Sequence, residues 1–167
     1  MKTKRRIIVP ILLFFIVGII WLNSSMDAVI SDMQSDWVFD LLNPIFEKVF
    51  DRTLTVHIVR KLAHFIEFAV LGGVLYLAVS LFDISPSMRI YTSGTLSMIV
   101  ALIDETIQLT SEGRTSQVTD VWLDCLGSIS AIICLAMIFH LAHLDRDDPE
   151  EDAADASPDN EDRDKTK

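Results

Sequence analysis

The sequence predicts an all-α membrane protein with four transmembrane helices and short interfacial helices between the first two. Half of the 167 residues are hydrophobic, although the formal net charge is −10. Residues 145–167 carry much of that charge, with eleven acids and four bases, a net of −7. The remaining body, residues 1–144, contains four apolar runs close to the roughly 20 residues that cross a bilayer. This composition is typical of an integral membrane protein.

The first apolar run, residues 7–22, follows the four basic residues Lys2, Lys4, Arg5 and Arg6. A basic start before an apolar stretch also fits a cleavable signal peptide, but no A-x-A-like cleavage site follows it. We therefore favour an uncleaved membrane anchor. The basic cluster places the N-terminus in the cytoplasm, and four crossings return the C-terminus to the same side.

The next segment, residues 23–56, has helical periodicity without a run long enough to span a membrane. Apolar residues recur at helical spacing from Met26 to Leu41, and Asn43-Pro44 then suits the start of a second short helix. At about 1.5 Å per residue, neither helix crosses a bilayer comfortably. We predict an extracytoplasmic pair of interfacial helices, with a folded cap on the helix bundle as the alternative.

Three further apolar runs predict membrane helices, at about residues 57–82, 88–109 and 118–144. The loop 83–87 is then cytoplasmic, and residues 110–117 face outward. The acidic tail 145–167 contains no aromatic residue and no aliphatic residue larger than Ala. Such a segment cannot bury enough apolar surface to offset the entropy of ordering, so we predict a disordered cytoplasmic tail.

The last helix has a face of small residues. Gly127, Ser128 and Ala131 continue the face of its acidic residues, which predicts close approach of a neighbouring helix. Cys125 and Cys134 lie nine residues apart and therefore on opposite faces of a helix, so they cannot pair with each other. We expect both to be buried apolar residues.

Ionisable and amide side chains interrupt the apolar runs of the last three helices. A charge inside a membrane helix costs about 2.5–3.5 kcal/mol on insertion scales and commonly marks a functional site. Helical spacing places the polar residues of each helix on one side, and the predicted topology brings all three sets to the outer half of the membrane. We therefore predict one shared polar site, to which the loop before the last helix adds an arginine. Its residues are Arg60, Lys61, His64, Glu67, Asp104, Glu105, Gln108, Arg114, Asp120 and Asp124. Interfacial charges that simply face water are the alternative, best suited to Lys61 and Asp120.

Two stretches resemble the two signatures of the VanZ-like family. The first is residues 60–68 with Leu71-Gly72, and the second is residues 104–108, followed by Gly113-Arg114, Asp120, Asp124 and Gly127. Phe68, Ile107 and Asp124 depart from the family pattern, which usually has Tyr at the first and Asn at the third of these positions and frequently has His at the second. The resemblance covers about residues 57–135. It implies a small multi-pass membrane protein of bacteria, and a contribution to resistance against the glycopeptide teicoplanin, with which the founding member is associated.

Three classes of function fit these residues. The first is a binding protein for an amphiphile, such as a glycopeptide or lipopeptide antibiotic, a cell-wall lipid precursor or a phospholipid. In it, Arg60, Lys61 and Arg114 would hold a phosphate or carboxylate. The second is a membrane enzyme acting on a lipid-linked substrate, with Glu105 or His64 as general base. A small transporter comes third, because no inverted repeat is visible and the charges stop in one half of the membrane.

Arg114 could instead have a structural role and pair with Glu105 or Asp120, since ion-pair networks mimic active sites.

The sequence says little about cofactors and partners. No cofactor is named and no metal is assigned, although carboxylates together with His64 are suitable ligands for a divalent cation. The expected partners are the lipid bilayer and an amphiphilic or lipid-linked ligand. Nucleic acid is not expected, since no basic stripe follows the first six residues. No oligomeric state is predicted.

Overall fold

The computed structural model describes residues 2–26, 28–50, 53, 55–111 and 117–147. Within these residues the chain forms five α-helices and no strand, which confirms the all-α prediction. The helices are α1 (Lys2–Ser25), α2 (Ala28–Phe50), α3 (Val56–Val79), α4 (Pro86–Thr110) and α5 (Val118–Asp147). Helices α1, α3, α4 and α5 correspond to the four predicted membrane helices, with ends shifted by a few residues.

Side-chain caps fix the starts of α3 and α4. Thr55 precedes α3 in extended conformation, and its hydroxyl oxygen accepts a hydrogen bond from the backbone N–H of Ile58. Ser85 does the same for the N–H of Met88 at the start of α4, where Pro86 occupies the first turn. A proline is tolerated there because that N–H has no helical partner. The short connection between the two helices makes them antiparallel neighbours.

Three of the described helices are long and apolar enough to cross a membrane: Lys4–Ser25, Val56–Val79 and Val118–Ala142. This is one fewer than the sequence predicted. Helix α4 has sufficient length, with 25 residues, but its hydropathy is lowered by Arg89, by several hydroxyl side chains, and by Asp104 and Glu105. The polar residues of α4 that predict a functional site thus also lower its mean hydropathy below that of a membrane span.

The segment after α1 is helical, as predicted, but the two expected short helices form one element. Helix α2 runs through Asn43 and contains Pro44, so the proline does not end it. A proline inside a helix removes one backbone hydrogen bond, and neighbouring turns can still continue. Helix α2 contacts α3 and exposes the apolar side chains of Met33, Trp37 and Leu41. An exposed apolar stripe of this kind suits an interfacial position.

The core lies among α1, α3 and α4, which contact one another in pairs. Its buried members are Ile20, Phe68, Leu71, Leu75 and Ala101. Many large apolar side chains remain exposed on the outer faces of the same helices, for example Phe14, Val70 and Ile99. Such extensive apolar exposure is unfavourable in water and is expected of a surface that contacts lipid.

Helix α5 approaches α3 closely through glycines, as its small-residue face predicted. A Cβ atom added to Gly72 would lie 2.5 Å from the carbonyl oxygen of Ser128, and one added to Gly127 would meet the carbonyl group of Phe65. The hydroxyl of Ser128 accepts a hydrogen bond from Ser97 of α4 and donates one of 2.9 Å to the carbonyl of Phe68. These bonds connect α3, α4 and α5 beside the glycine contacts.

Helix α5 extends over two compact units, Met1–Leu135 and a second unit from Ala136. It continues to Asp147, so the first residues of the predicted acidic tail are helical, and the rest of the tail lies outside the described residues. Both cysteines are free, as predicted. Cys134, however, is exposed rather than buried, because it lies on an outer face of α5 beside the exposed Ile133.

Candidate functional site

Polar side chains meet where the C-terminal ends of α1 and α4 lie beside the N-terminal ends of α3 and α5. The antiparallel order of the helices brings these ends together, and side-chain bonds join α1 to α4, α1 to α3 and α3 to α5. We call this group the polar cluster, formed by Asn23, Ser24, Lys61, His64, Glu67, Asp104, Glu105, Gln108, Asp120 and Asp124.

Asp104 is a fully buried carboxylate with both oxygens satisfied. Its Oδ1 accepts a hydrogen bond of 2.5 Å from the hydroxyl of Ser24, and its Oδ2 accepts one of 3.0 Å from the Gln108 amide. The same amide nitrogen lies 3.4 Å from the Ser24 hydroxyl oxygen. Asp104 is therefore held in one orientation by donors from α1 and from the next turn of α4.

Asp124 is equally buried but less satisfied, with 1% of its surface exposed. Its Oδ1 has no hydrogen-bond partner and lies 3.9 Å from Nδ1 of His64, which is too far for a hydrogen bond. A buried carboxylate oxygen without a donor is costly. The arrangement leaves a buried oxygen of Asp124 without a hydrogen bond near the imidazole of His64.

Glu105 connects α4 to the start of α5. Its Oε1 accepts a hydrogen bond of 2.6 Å from the backbone N–H of Gln117, the residue that precedes α5. A carboxylate at a helix N-terminus also interacts favourably with the helix dipole. The second oxygen, Oε2, is buried and has no hydrogen-bond partner, so only one of the two oxygens of the Glu105 carboxylate is hydrogen-bonded.

Partly exposed ion pairs and hydrogen bonds surround these three carboxylates. Lys61 pairs with Asp120 at 2.9 Å, with 34% and 29% of the two side chains exposed. Glu67 accepts a hydrogen bond of 2.9 Å from the amide of Asn23. Lys61 and Asp120 are therefore more exposed than the three buried carboxylates.

The structure brings most of the predicted site residues together. Eight of the ten belong to the polar cluster. Of the other two, the guanidinium of Arg60 lies 3.4 Å from Nδ1 of the exposed His57, and Arg114 lies outside the described residues together with its predicted pairing to Glu105 or Asp120. Asn23 and Ser24 were missed, because they follow the last apolar residue of the first run and look like the start of a loop. Ser24 lies four residues after the buried Ile20, and this helical spacing is the signal that could have identified it.

A cavity of about 660 Å³ lies between α4 and α5 beside the polar cluster. Its walls are mostly apolar and include Tyr91, Leu102, Leu109, Val121, Trp122 and Ile132. Among the described residues that line it, Glu105 carries the only formal charge. We call this space the α4–α5 cavity. Its size lies within the range of about 300–1,000 Å³ that is usual for small-molecule sites.

The fold and the site together define a helical protein of membrane type, with buried carboxylates where four of its helices meet. Its sequence matches the family model described as VanZ/LLP1 over residues 9–140. The chain therefore belongs to the VanZ/LLP1 family, and the resemblance predicted from its two signatures is confirmed. The match also covers most of α1 and all of α2, where the signatures have no residues. No curated protein and no solved structure is significantly similar to the chain.

Proposed function

We propose that the protein binds an amphiphile, with the apolar chain in the α4–α5 cavity and the polar group at Glu105. The observation that carries this proposal is the cavity, which has apolar walls and one charged lining residue. The carboxylate of that residue has a buried oxygen, Oε2, without a hydrogen-bond partner. A mostly apolar cavity with a few convergent polar groups is the usual form of a ligand site.

The free oxygen of Glu105 selects the polar group of the ligand. A carboxylate oxygen accepts hydrogen bonds, so the headgroup must offer an amine, a hydroxyl or an amide N–H. Phospholipids with such headgroups, lipid-linked cell-wall precursors and lipid-bearing glycopeptides share this combination of a long apolar chain and hydrogen-bond donors. The predicted ligand therefore has a long apolar chain and hydrogen-bond donors in its headgroup, and competition experiments distinguish the three classes.

We also propose that α4 crosses the bilayer as a fourth span. Its buried residues are small or polar: Ser93, Ser97, Ala101, Asp104, Glu105 and Gln108. Its large apolar residues, including Ile99 and Leu102, are exposed. A helix in water has the opposite arrangement, whereas lipid favours it. Four spans in a bacterial cell membrane would leave both termini in the cytoplasm and place the polar cluster in the outer leaflet.

Two glycines provide a matched test of the cavity. Gly94 lines the α4–α5 cavity, and Gly18 of α1 does not. A Cβ atom added at either position meets nothing within 4 Å, so both sites accept a side chain. We expect Gly94→Trp to fill part of the cavity and lower the affinity for a fluorescent phospholipid by about tenfold, equivalent to about 1.4 kcal/mol. Gly18→Trp should bind as the wild type does.

The measurement is a titration of purified full-length protein in detergent with a phospholipid labelled on its acyl chain. Unlabelled phosphatidylethanolamine, a polyprenyl-linked sugar and teicoplanin are then added as competitors, and the one that displaces the label at the lowest concentration identifies the ligand class. Equal affinities for the two variants, or the absence of saturable binding to the wild type, would contradict the proposal.

We extend the proposal to glycopeptide resistance. A glycopeptide with an acyl chain carries the apolar segment and the hydrogen-bond donors that the cavity and Glu105 would accept. Expression of the wild-type protein in a susceptible bacterium should raise the inhibitory concentration of teicoplanin, and Gly94→Trp should abolish that increase. An increase of the same size with both proteins would separate resistance from the cavity.

An enzyme acting on a lipid-linked substrate is the second candidate function. The observation in its favour is the pair of His64 and Asp124, whose side chains face each other at 3.9 Å and could carry a proton when a substrate or a water closes the gap. Incubation of the competing lipids with the protein, followed by mass spectrometry, tests this function. Time-dependent loss of one lipid would favour the enzyme over the binding protein.

A further inference from the structure

One atom each of His64, Asp104 and Asp124 lies within 4.8 Å of the corresponding atoms of the other two residues. The three residues belong to α3, α4 and α5, so the packing of three helices creates the group. Zinc binds imidazole nitrogen and carboxylate oxygen at about 2.0–2.2 Å, which places two ligand atoms of a tetrahedral ion about 3.4 Å apart. The 3.9 Å between His64 Nδ1 and Asp124 Oδ1 is therefore close to the spacing of two ligand atoms.

The two carboxylates differ in a way that suits a shared ion. Asp104 is oriented by hydrogen bonds from Ser24 and Gln108, as outer-shell donors orient metal-ligating carboxylates. Asp124 is 1% exposed, and its Oδ1 has no hydrogen-bond partner although it faces His64. An unpartnered buried oxygen beside a second buried carboxylate is stabilised by a bound proton or by a cation.

Among the described residues, the charged groups that act on Asp124 are carboxylates and supply no positive charge. Glu67, Asp104, Glu105 and Asp120 all act electrostatically on Asp124 as further carboxylates. Lys61 is engaged with Asp120 at 2.9 Å. A divalent cation would offset two negative charges at once, and it would do so where the buried oxygens converge.

We propose that His64, Asp104 and Asp124 bind a divalent transition-metal cation, Zn²⁺ or Mn²⁺. One imidazole with two carboxylates suits these ions better than Mg²⁺ or Ca²⁺, which prefer oxygen ligands throughout. Three protein ligands leave at least one position of the ion for water or for an oxygen of another molecule. The ion site does not depend on amphiphile binding, because none of its three residues lines the α4–α5 cavity.

Equilibrium dialysis of the purified, metal-stripped full-length protein against Zn²⁺ or Mn²⁺, followed by elemental analysis, tests the site. We expect one ion per chain, and the ion that binds more tightly identifies the metal. Asp124→Asn and His64→Gln each remove a ligand and should lower the affinity by at least the roughly 10–100-fold that loss of an outer-shell partner costs. Asp124→Asn keeps the side-chain shape and removes no hydrogen bond of Oδ1, so it should fold. The exposed Asp83 and His140 provide matched controls, Asp83→Asn and His140→Gln, which should bind as the wild type does.

A second measurement covers the case in which the variants do not fold. Wild-type protein loaded with Mn²⁺ should show nitrogen coupling from the imidazole in its pulsed electron paramagnetic resonance spectrum. No binding of either ion, unchanged affinity in both variants, or tighter binding of Ca²⁺ or Mg²⁺ would overturn the proposal. Gly94→Trp should retain the ion, so a failure of the amphiphile proposal remains distinguishable from a failure of the metal site.

Discussion

Three buried carboxylates of the polar cluster are satisfied to different degrees. Both oxygens of Asp104 accept hydrogen bonds, whereas Glu105 and Asp124 each keep one buried oxygen without a partner. Buried polar atoms are normally paired, because an unmade hydrogen bond to a carboxylate costs more than a made one gains. The unpaired oxygens of Glu105 and Asp124 do not stabilise the fold, and we infer that they interact with a ligand or an ion.

Two substitutions of Glu105 distinguish the role of Oε1, which is hydrogen-bonded, from that of Oε2, which has no partner. In Glu105→Gln the remaining carbonyl oxygen can still accept a hydrogen bond from the N–H of Gln117, so we expect a melting temperature close to that of the wild type. The second oxygen is replaced by an amide group, so we expect weaker binding of the amphiphile. Glu105→Leu strands that N–H and should cost about 1–3 kcal/mol of stability. Thermal melts of the detergent-purified variants, beside the lipid titration, check both outcomes.

The two variants also distinguish the possible roles of Glu105. If Glu105→Gln melted as early as Glu105→Leu, the free oxygen would be part of the structural bonding, and Glu105 would not be a ligand-binding residue. If Glu105→Gln bound the amphiphile with wild-type affinity at normal stability, the polar group of the ligand would lie elsewhere in the polar cluster.

At the scale of the helices, the contact between α3 and α5 is made by backbone against backbone. Gly127 has no room for a methyl group beside the carbonyl of Phe65, whereas a methyl group at Gly94 meets nothing within 4 Å. We expect Gly127→Ala to separate the two helices and lower stability by about 1–3 kcal/mol, the usual cost of overpacking. Gly94→Ala should melt at or above the wild-type temperature, since alanine favours a helix.

Melting of the two alanine variants in the same detergent checks this expectation. A Gly127→Ala protein as stable as Gly94→Ala would show that the interface of α3 and α5 can widen at little cost. The bound ion would be a further readout, because its ligands His64 and Asp124 lie on these two helices, and a wider interface would weaken metal binding as well.

Most of the helices and of the polar cluster could be predicted from the sequence, for a physical reason. Ionisable residues inside apolar runs are conspicuous, so Asp104, Glu105 and Asp124 were identified without a structure. Ser24 was missed because a hydroxyl residue after an apolar run is common in loops, and only the packing against Asp104 reveals its role. The continuity of α2 through Pro44 was missed for a similar reason, since tertiary contacts can override a local helix breaker.

The same limit explains the difference between four predicted spans and three apolar helices. Hydropathy counts every residue of α4, including the polar ones that face the inside of the bundle. What matters for insertion is the surface that contacts lipid, and the exposed side of α4 carries large apolar residues such as Leu96 and Ile103. The burial pattern of α4 is therefore the observation that supports our proposal of a fourth span, whereas its mean composition does not.

At the scale of the whole molecule, the orientation in the membrane decides which leaflet holds the polar cluster. Three exposed positions outside the helices report it: Thr53 before α3, Asp83 between α3 and α4, and Gln117 before α5. We first replace Cys125 and Cys134 by Ala, and then introduce single cysteines as Thr53→Cys, Asp83→Cys or Gln117→Cys. Labelling of intact cells with a membrane-impermeant maleimide is compared with labelling after permeabilisation.

We expect the variants at Thr53 and Gln117 to react in intact cells and the variant at Asp83 to react only after permeabilisation. This expectation follows from our proposal that the four basic residues before the first apolar run keep the N-terminus in the cytoplasm. The reverse pattern would move the polar cluster to the inner leaflet, where a ligand arriving from outside could not reach it. Reaction of Asp83 and Gln117 from the same side would show that α4 does not cross the bilayer. In that case the exposed apolar residues of α4 would have to be covered by a partner instead of lipid.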